Sequence, residues 1–254
     1  MNNKIVRRAL AVLEALSFWL LIWEILSRAI GLTFAMPGPA ATFRAFFRLL
    51  GTGTFWATVG MSFLRILAGF LLGAVAGILL GAGAYLFLPV RVLFTPMMTV
   101  IRSTPVASVI LLLWILIGRA SVPTAIALLM VMPVVYQNIY AALGAQDKAL
   151  REVLIVFRVP FFRRLRIYVI PFVLSYAAPA FLTASGLAWK AGIAAEIIAY
   201  TKNSIGQKIS DAKNFFEGEE LYAWTLAVIL LSLLLEFLIS LPGRRKRGSS
   251  HADM

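Results

Sequence analysis

The chain has 254 residues, of which 61% are hydrophobic and 14% are charged, and its formal net charge is +13. Soluble domains are about half apolar and about one quarter charged, so this composition excludes an ordinary soluble protein. The chain has no cysteine, a single histidine and no G-x-x-x-x-G-K-[ST] sequence, which excludes disulfides, a histidine-ligated metal site and a P-loop ATPase. We therefore expect it not to be an enzyme.

Six apolar runs are long enough to cross a lipid bilayer, which takes about 20 residues per helix. We place them at about 9–30, 60–88, 93–118, 121–143, 172–199 and 221–241. The sequence thus predicts an all-α polytopic membrane protein with about six transmembrane helices. The first run is too long for the core of a signal peptide and lacks a cleavage site of small residues, so we expect a retained span.

The basic residues are distributed unevenly between the two sides of the membrane. With the N-terminus inside, the predicted cytoplasmic segments hold fourteen lysines and arginines and the outer segments hold six. Excess positive charge on the inner side orients membrane proteins, so both termini are predicted to be cytoplasmic. The positive charge therefore does not indicate a nucleic-acid partner, and the tail "RRKR" at 244–247 is expected to contact anionic lipid.

Two patterns stand out in the first third of the chain. After the turn at 37–39, the phenylalanines of "TFRAFFRLL" (42–50) recur at helical spacing, which predicts a short amphipathic helix on the outer surface. In the second span, glycines recur every four residues on one face, which predicts close packing of a neighbouring helix. These glycines are Gly69, Gly73, Gly77 and Gly81.

Four ionisable residues lie in or near the later spans, among several prolines that can kink a helix. An unpaired charge at the centre of a bilayer costs at least about 2.5–3.5 kcal/mol, so each should face protein, water or the membrane edge. Arg65 and Arg102 are near span ends, and we expect them to snorkel. Lys190 and Glu196 are deeper and six residues apart, so they do not share a helix face. Each is predicted either to line an aqueous pathway or to pair with a neighbouring helix.

The stretch 147–171, here called the docking element, combines six basic residues with an apolar block. Leu150, Val153, Leu154 and Phe157 follow the i, i+3, i+4, i+7 pattern of one helix face. We expect Val159-Pro160 to end this helix, because the residue before a proline is disfavoured in the α region. A second short helix should follow, and a turn at Ile170-Pro171 should lead into the fifth span. An apolar face bordered by arginines on a cytoplasmic loop predicts a site for a partner protein.

This element resembles a known motif. Inner-membrane permeases of binding-protein-dependent ABC importers carry E-A-A-x-x-x-G, then nine residues, then I-x-L-P. Glu152 stands at the first position, Arg158 at the glycine, and Tyr168, Ile170 and Pro171 at the final I, L and P. Because arginine replaces the glycine, we expect the following Val-Pro pair to supply the bend one residue later.

The surrounding segments strengthen the resemblance and extend it over residues 36–243. "MPGPAATFRAFFRLL", "SFLRILAGFLLGAVAGILLG", "IRSTPVASVILLLWILIG" and "GLAWKAGIAAEII" occur in the order typical of the nitrate/sulfonate/taurine branch of the type I permeases. The resemblance implies three parts of the chain. These are a first span with an external amphipathic helix (1–58), a type I permease domain containing the docking element (59–243) and a basic cytoplasmic tail (244–254).

The resemblance further implies a half-transporter in a bacterial inner (plasma) membrane. Two copies would form a homodimer, two ATP-binding cassette ATPases would dock on it, and an external binding protein would deliver the solute. ATP and Mg would bind to the ATPases, with no cofactor on this chain. The implied ATPase-coupling residues are Asp147, Leu150, Arg151, Glu152, Leu154, Phe157, Arg158, Pro160, Arg163, Arg164 and Pro171. The implied pathway residues are Arg102, Pro105, Trp189, Lys190 and Glu196.

Other classes remain open at this point: a gradient-driven secondary transporter, a channel or a scaffold subunit of a membrane complex. The docking element discriminates against them, because carriers and channels have no ATPase to receive an apolar helix face. The resemblance favours a small anion such as an aliphatic sulfonate, taurine or nitrate. A thiamine-precursor pyrimidine or another small metabolite is the alternative substrate.

Overall fold

The structure is a computed structural model that describes residues 2–248, although the side chains of residues 2–6, 8, 9, 148, 151 and 238–248 lie outside this description. Within the described residues the chain is helical and has no strand, which confirms the predicted all-α fold. The helices are α1 (Asn2–Ile30), α2 (Pro39–Leu50), α3 (Gly53–Leu86), α4 (Leu88–Ser103), α5 (Val106–Ile117), α6 (Val122–Gly144), α7 (Lys148–Val156), α8 (Phe161–Arg164), α9 (Ile170–Ala199), α10 (Ile205–Asn214) and α11 (Gly218–Gly248). A π-helical turn (Leu165–Val169) joins α8 to α9. The predicted basic tail therefore lies partly in α11, and its residues 249–254 fall outside the described part of the chain.

Within residues 2–248, five helices are long and apolar enough to cross a membrane. They span Leu10–Ile30, Gly53–Leu86, Val122–Gly144, Phe161–Ala199 and Gly218–Phe237. The predicted third span, 93–118, is wrong as a single helix, because the chain bends by 106° between α4 and α5. Thr104 has the extended conformation that a following proline favours, and Pro105 has no N–H group to continue the helix.

The glycine face of α3 packs directly against the backbone of α6. A Cβ atom at Gly73, Gly77 or Gly81 would lie only 2.7–2.8 Å from a carbonyl oxygen of α6. The carbonyls facing Gly69, Gly73, Gly77 and Gly81 are those of Thr124, Leu128, Met132 and Tyr136, respectively. Because both sets of residues advance by four in the same direction, α3 and α6 are parallel. The predicted role of the glycines in close packing is confirmed.

The parallel arrangement of α3 and α6 determines the path of α4 and α5, which we call the bent pair. The chain leaves α3 at one end of the bundle and enters α6 at the opposite end, so α4 and α5 together return it across the bundle. The pair therefore counts as the sixth crossing in spite of its break. We call the end where α6 ends and α9 begins the inner end, and the opposite end the outer end.

Antiparallel packing of α9 completes the bundle. Gly192 of α9 lies against Ile66 of α3, and Glu196 of α9 lies against Ser62, one turn earlier in α3. On another side, Trp189 of α9 contacts Val228 of α11. The main core is formed by buried residues of α2, α3, α6, α9, α10 and α11.

The first two helices join the bundle at its outer end. Trp23 of α1 donates a hydrogen bond from Nε1 to the Pro37 carbonyl (3.0 Å), and its ring stacks on Tyr222 of α11. The predicted amphipathic helix is present as α2. It buries Phe46 in the core and leaves Phe47 67% exposed.

The contact between α3 and α6 can be tested with two alanine substitutions in α3. Gly77→Ala should destabilise the protein, because the added methyl group meets the Met132 carbonyl at 2.8 Å, and overpacking costs about 1–3 kcal/mol. Gly60→Ala is the matched control, since a Cβ there meets nothing within 4 Å and alanine favours a helix by up to about 1 kcal/mol. Thermal unfolding in detergent should show a lower Tm only for Gly77→Ala. Equal Tm values for both variants would contradict this packing.

Candidate docking and pathway site

The first part of the docking element forms α7, which carries its apolar residues on the surface. Asp147 begins the helix, and its Oδ1 accepts a hydrogen bond from the Ala149 N–H (2.8 Å). Leu150, Val153 and Phe157 are exposed, and Phe157 reaches 76%. We call these three residues the apolar face of α7. Leu154, predicted for the same face, is half-buried.

The end of α7 differs from the expectation, because the bend occurs at Arg158 itself. Arg158 has φ 49°, the left-handed conformation that glycine adopts most easily. The Val159 N–H binds the Leu154 carbonyl (3.1 Å) and the Arg158 N–H binds the Ile155 carbonyl (2.9 Å), which is a Schellman motif. The arginine therefore takes the geometry of the glycine position at a steric cost of about 1–2 kcal/mol.

The expected turn at Ile170-Pro171 is also absent from this structure. A continuous helical segment of 39 residues runs from Phe161 to Ala199, and Pro171 lies in the first turn of α9. In place of a turn, the helix widens: the Ile170 N–H binds the Leu165 carbonyl, five residues earlier. A wider turn before a proline avoids the clash between its ring and the preceding carbonyls.

The charged residues of the docking element surround the apolar surface. Pro160 precedes α8, whose exposed Arg163 and half-buried Arg164 lie next to exposed aromatic rings. The Arg164 guanidinium is 5.9 Å from the centroid of the Phe161 ring. Glu152 is exposed, whereas the Arg151 side chain lies outside the described residues.

The break between α4 and α5 brings together a cation and an amide. Arg102, at the end of α4, is exposed and donates a hydrogen bond to the Gln137 side chain of α6. Pro105, also exposed, begins α5. Arg102 thus binds a protein partner, Gln137, whereas we expected its side chain to extend to the membrane surface. Gln137 was missed because nothing in the sequence shows which residue of α6 faces the end of α4.

The two neighbours Trp189 and Lys190 face in different directions. Trp189 is 2% exposed, and its Nε1 donates to the Val228 carbonyl of α11 (3.2 Å). This packing places Trp189 inside the bundle of a single chain, and its predicted place on a pathway stays a prediction. Lys190 is exposed on the surface of α9.

Glu196 is completely buried and forms the centre of a polar network at the outer end. Its Oε2 accepts hydrogen bonds from the Ser62 hydroxyl (2.9 Å) and from the Gly206 N–H (3.2 Å). The Ser62 oxygen in turn accepts from the Ile205 N–H (2.9 Å). A carboxylate and a hydroxyl therefore cap the N-terminus of α10, where the helix dipole favours negative charge.

Arg65 joins this network from α3. Its Nη1 is 4.0 Å from Glu196 Oε1, and the guanidinium also donates to the carbonyls of Lys202 (3.1 Å) and Asn203 (3.2 Å). Arg65 therefore does not snorkel freely. Of the two roles predicted for Glu196, these contacts match pairing with neighbouring helices, because the side chain faces no open space.

The network depends on residues that sequence reasoning missed. Gly206 is required, since a Cβ there would overlap Glu196. The start of α10 does have a sequence signal, because "SIGQ" at 204–207 follows the capping-box pattern. The Ser204 hydroxyl accepts from the Gln207 N–H (3.0 Å). Ser62 has no such signal, since its role depends on which helix packs against it.

The loop after α9 is fixed in a similar way. Tyr200 donates a hydrogen bond to Asp211 of α10, and this bond raises the pKa of the Tyr200 hydroxyl above its ordinary value. The Thr201 hydroxyl donates to the Arg119 carbonyl (2.9 Å). Among the described residues, no group of three or more histidine or acidic side chains could hold a metal ion.

Comparison with known proteins connects this arrangement to a family. The profile of the family described as "Binding-protein-dependent transport system inner membrane component" matches residues 69–248. The matched region runs from the glycine face of α3 through the docking element to the end of α11. No curated protein shows significant similarity to the chain.

The ion pair at the outer end can be tested with a double-mutant cycle. Glu196→Gln should lower the free energy of unfolding by about 1–3 kcal/mol, because it leaves the Arg65 guanidinium without its counter-charge. In the double variant with Arg65→Met, the free energy of unfolding should fall by less than the sum of the two single-variant losses. The effects of replacing two residues that interact are not additive. Glu220→Gln is the control, as the exposed pair of Glu220 with Arg48 (3.4 Å) is worth at most about 1 kcal/mol. Additive losses in thermal unfolding would contradict the pairing.

Proposed function

Since this chain belongs to the family of binding-protein-dependent transport system inner membrane components, we propose that two copies of it form the translocation pathway of an ATP-driven importer. The chain is a membrane-embedded permease subunit of an ABC importer, a family whose partners are an ATPase and a binding protein. Each copy would couple to one ATP-binding cassette ATPase, and an external binding protein would deliver the solute. ATP and Mg would bind to the ATPase subunits.

The observation that carries this proposal is the exposed apolar face of α7. Val153 and Phe157 lie on a short helix at the inner end, next to a group of arginines. Apolar anchors usually dominate protein interfaces, and surrounding charges increase the association rate and fix the orientation. An ATPase with an apolar groove and an acidic rim would complement this surface. Closure of two ATPases could then move the two helical bundles as rigid bodies.

A gradient-driven carrier is the weaker alternative. Such a carrier commonly couples to an ion through a buried acidic residue. Among the described side chains the buried acid is Glu196, which is engaged by Ser62, Gly206 and Arg65 and faces no open space. These contacts favour a structural role, and the alternative also leaves the apolar face of α7 without a partner.

The charges on the bundle surface support an anionic substrate. Arg102 and Lys190 are exposed, and neither forms an ion pair with a carboxylate among the described side chains. Cations within a membrane bundle normally face water or a partner rather than lipid. We place both in a cavity shared by the two copies, where they would attract a small anion such as a sulfonate, taurine or nitrate. A thiamine-precursor pyrimidine is the alternative substrate.

The cellular location follows from the same proposal. A bacterial inner membrane is the site of binding-protein-dependent import. The excess of lysine and arginine in the segments of the inner end supports cytoplasmic termini. Six crossings, with α4 and α5 counted as one, would place both termini on the same side.

Phe157→Ala tests the docking of the ATPase. The substitution should reduce recovery of the ATPase with the purified permease, because truncation of a central apolar anchor often costs about 2 kcal/mol or more. Phe47→Ala, at the exposed aromatic residue of α2, should leave recovery unchanged. Full recovery of the ATPase with Phe157→Ala, together with normal ATP-dependent uptake in proteoliposomes, would refute the docking surface.

Lys190→Met tests the anionic pathway. We expect a lower rate of sulfonate, taurine or nitrate uptake with unchanged assembly and basal ATPase activity, since a positive charge is removed from the proposed cavity. Lys208→Met removes an exposed lysine of α10 outside the spans and should not reduce uptake. If Lys190→Met abolished assembly, the residue would be a structural partner of another helix, and the pathway assignment would be wrong.

A further inference from the structure

The π-helical turn lies at the junction between the docking element and the transmembrane bundle. On one side, α8 carries Phe162, which is 82% exposed. On the other side, α9 packs against α3 and α6 through residues such as Gly192 and Ala184. The chain that connects α7 and α8 to α9 therefore runs through residues 165–169.

The widened turn has a local cause in the sequence. Pro171 cannot donate a hydrogen bond to the Ile167 carbonyl, and its ring would collide with that carbonyl in a regular α-helix. The bond from the Ile170 N–H to the Leu165 carbonyl accommodates one more residue in the turn. Pro179, in contrast, lies inside α9 without a π turn.

The additional residue in the turn changes the rotational orientation of α7 and α8 relative to α9. A residue of an α-helix corresponds to about 100° of rotation and about 1.5 Å of rise. If residues 165–169 were regular α-helix, α8 and α7 would be rotated by about 100° relative to α9. The side of the bundle on which the apolar face of α7 lies therefore depends on the π turn.

A strip of aromatic rings connects the turn to α9. The Tyr168 ring lies 6.0 Å from that of Phe172, which stacks on Tyr176 at 6.2 Å. The Tyr168 hydroxyl is buried and has no hydrogen-bond partner among the described residues. The ring therefore holds its place by packing, and this packing extends from the π turn into the first turns of α9.

We propose that Pro171 and the π turn set the rotational register between the docking element and α9. Pro171 is then a positioning residue: it contacts neither solute nor nucleotide, and it acts by orienting the apolar face of α7 toward the ATPase. This proposal rests on the proposed function, since register matters only if a partner moves the docking element.

The test uses a substitution and a compensating deletion in the complete transporter. Pro171→Ala restores the N–H group and removes the ring, so the turn should become α-helical and α7 should be misoriented. We expect the solute transported per ATP hydrolysed to fall about tenfold, as for loss of a central anchor. Deletion of the exposed Ile167 in the Pro171→Ala background removes the extra residue and should restore coupling. Pro179→Ala is the control and should couple normally.

Two results would overturn the proposal. One is normal coupling in Pro171→Ala. The other is loss of coupling that the Ile167 deletion does not rescue, since a proline needed only for folding would be lost in both variants. Failure of the proposed function would appear differently, as uptake by the unaltered chain that does not depend on ATP and an ATPase.

Discussion

The arrangement of the helices depends on the contact between the glycine face of α3 and the carbonyl groups of α6. In a bilayer, apolar side chains gain little by leaving lipid for protein, so helices associate where small residues allow close backbone contact. The four-residue repeat is present on both helices, from Gly69 to Gly81 and from Thr124 to Tyr136. This contact makes α3 and α6 parallel. The bent pair α4–α5 must then cross the bundle between them, and α9 can pack against both.

The two ends of the bundle are built differently. At the outer end, Glu196 and Ser62 connect α3, α9 and α10 through buried hydrogen bonds, and Arg65 pairs with Glu196 at 4.0 Å. Removing Glu196 or Ser62 leaves another buried polar group unsatisfied. At the inner end, α7 offers exposed apolar side chains. Under the proposed function, a bundle with a hydrogen-bonded outer end and the exposed apolar face of α7 at its inner end is suited to receive force from a partner on the inner side.

Patterns within a single helix were readable from the sequence, whereas contacts between helices were not. Hydropathy located the spans except for the break in the third one, and helical periodicity located α2, α7 and the glycine face of α3. The sequence did not show that Thr104-Pro105 breaks a span while Pro179 does not, because surrounding contacts determine whether a proline is accommodated. The left-handed Arg158 was missed because arginine rarely adopts that conformation. The partners of Glu196 were missed because they come from α3 and α10, which are distant in the chain.

The segment from Phe161 to Ala199 joins the end of the docking element to the buried network around Glu196. Its 39 helical residues extend about 58 Å, whereas the hydrocarbon core of a bilayer is about 30 Å thick. With Glu196 fixed at the outer end, the inner end must extend beyond the lipid, where the arginines of α8 are solvated. Between Leu165 and Ile170 the hydrogen bond spans five residues, so the helix widens where the docking element meets α9. If the proposed function and the proposed register hold, this turn sets the direction in which a force from the ATPase would act on α9.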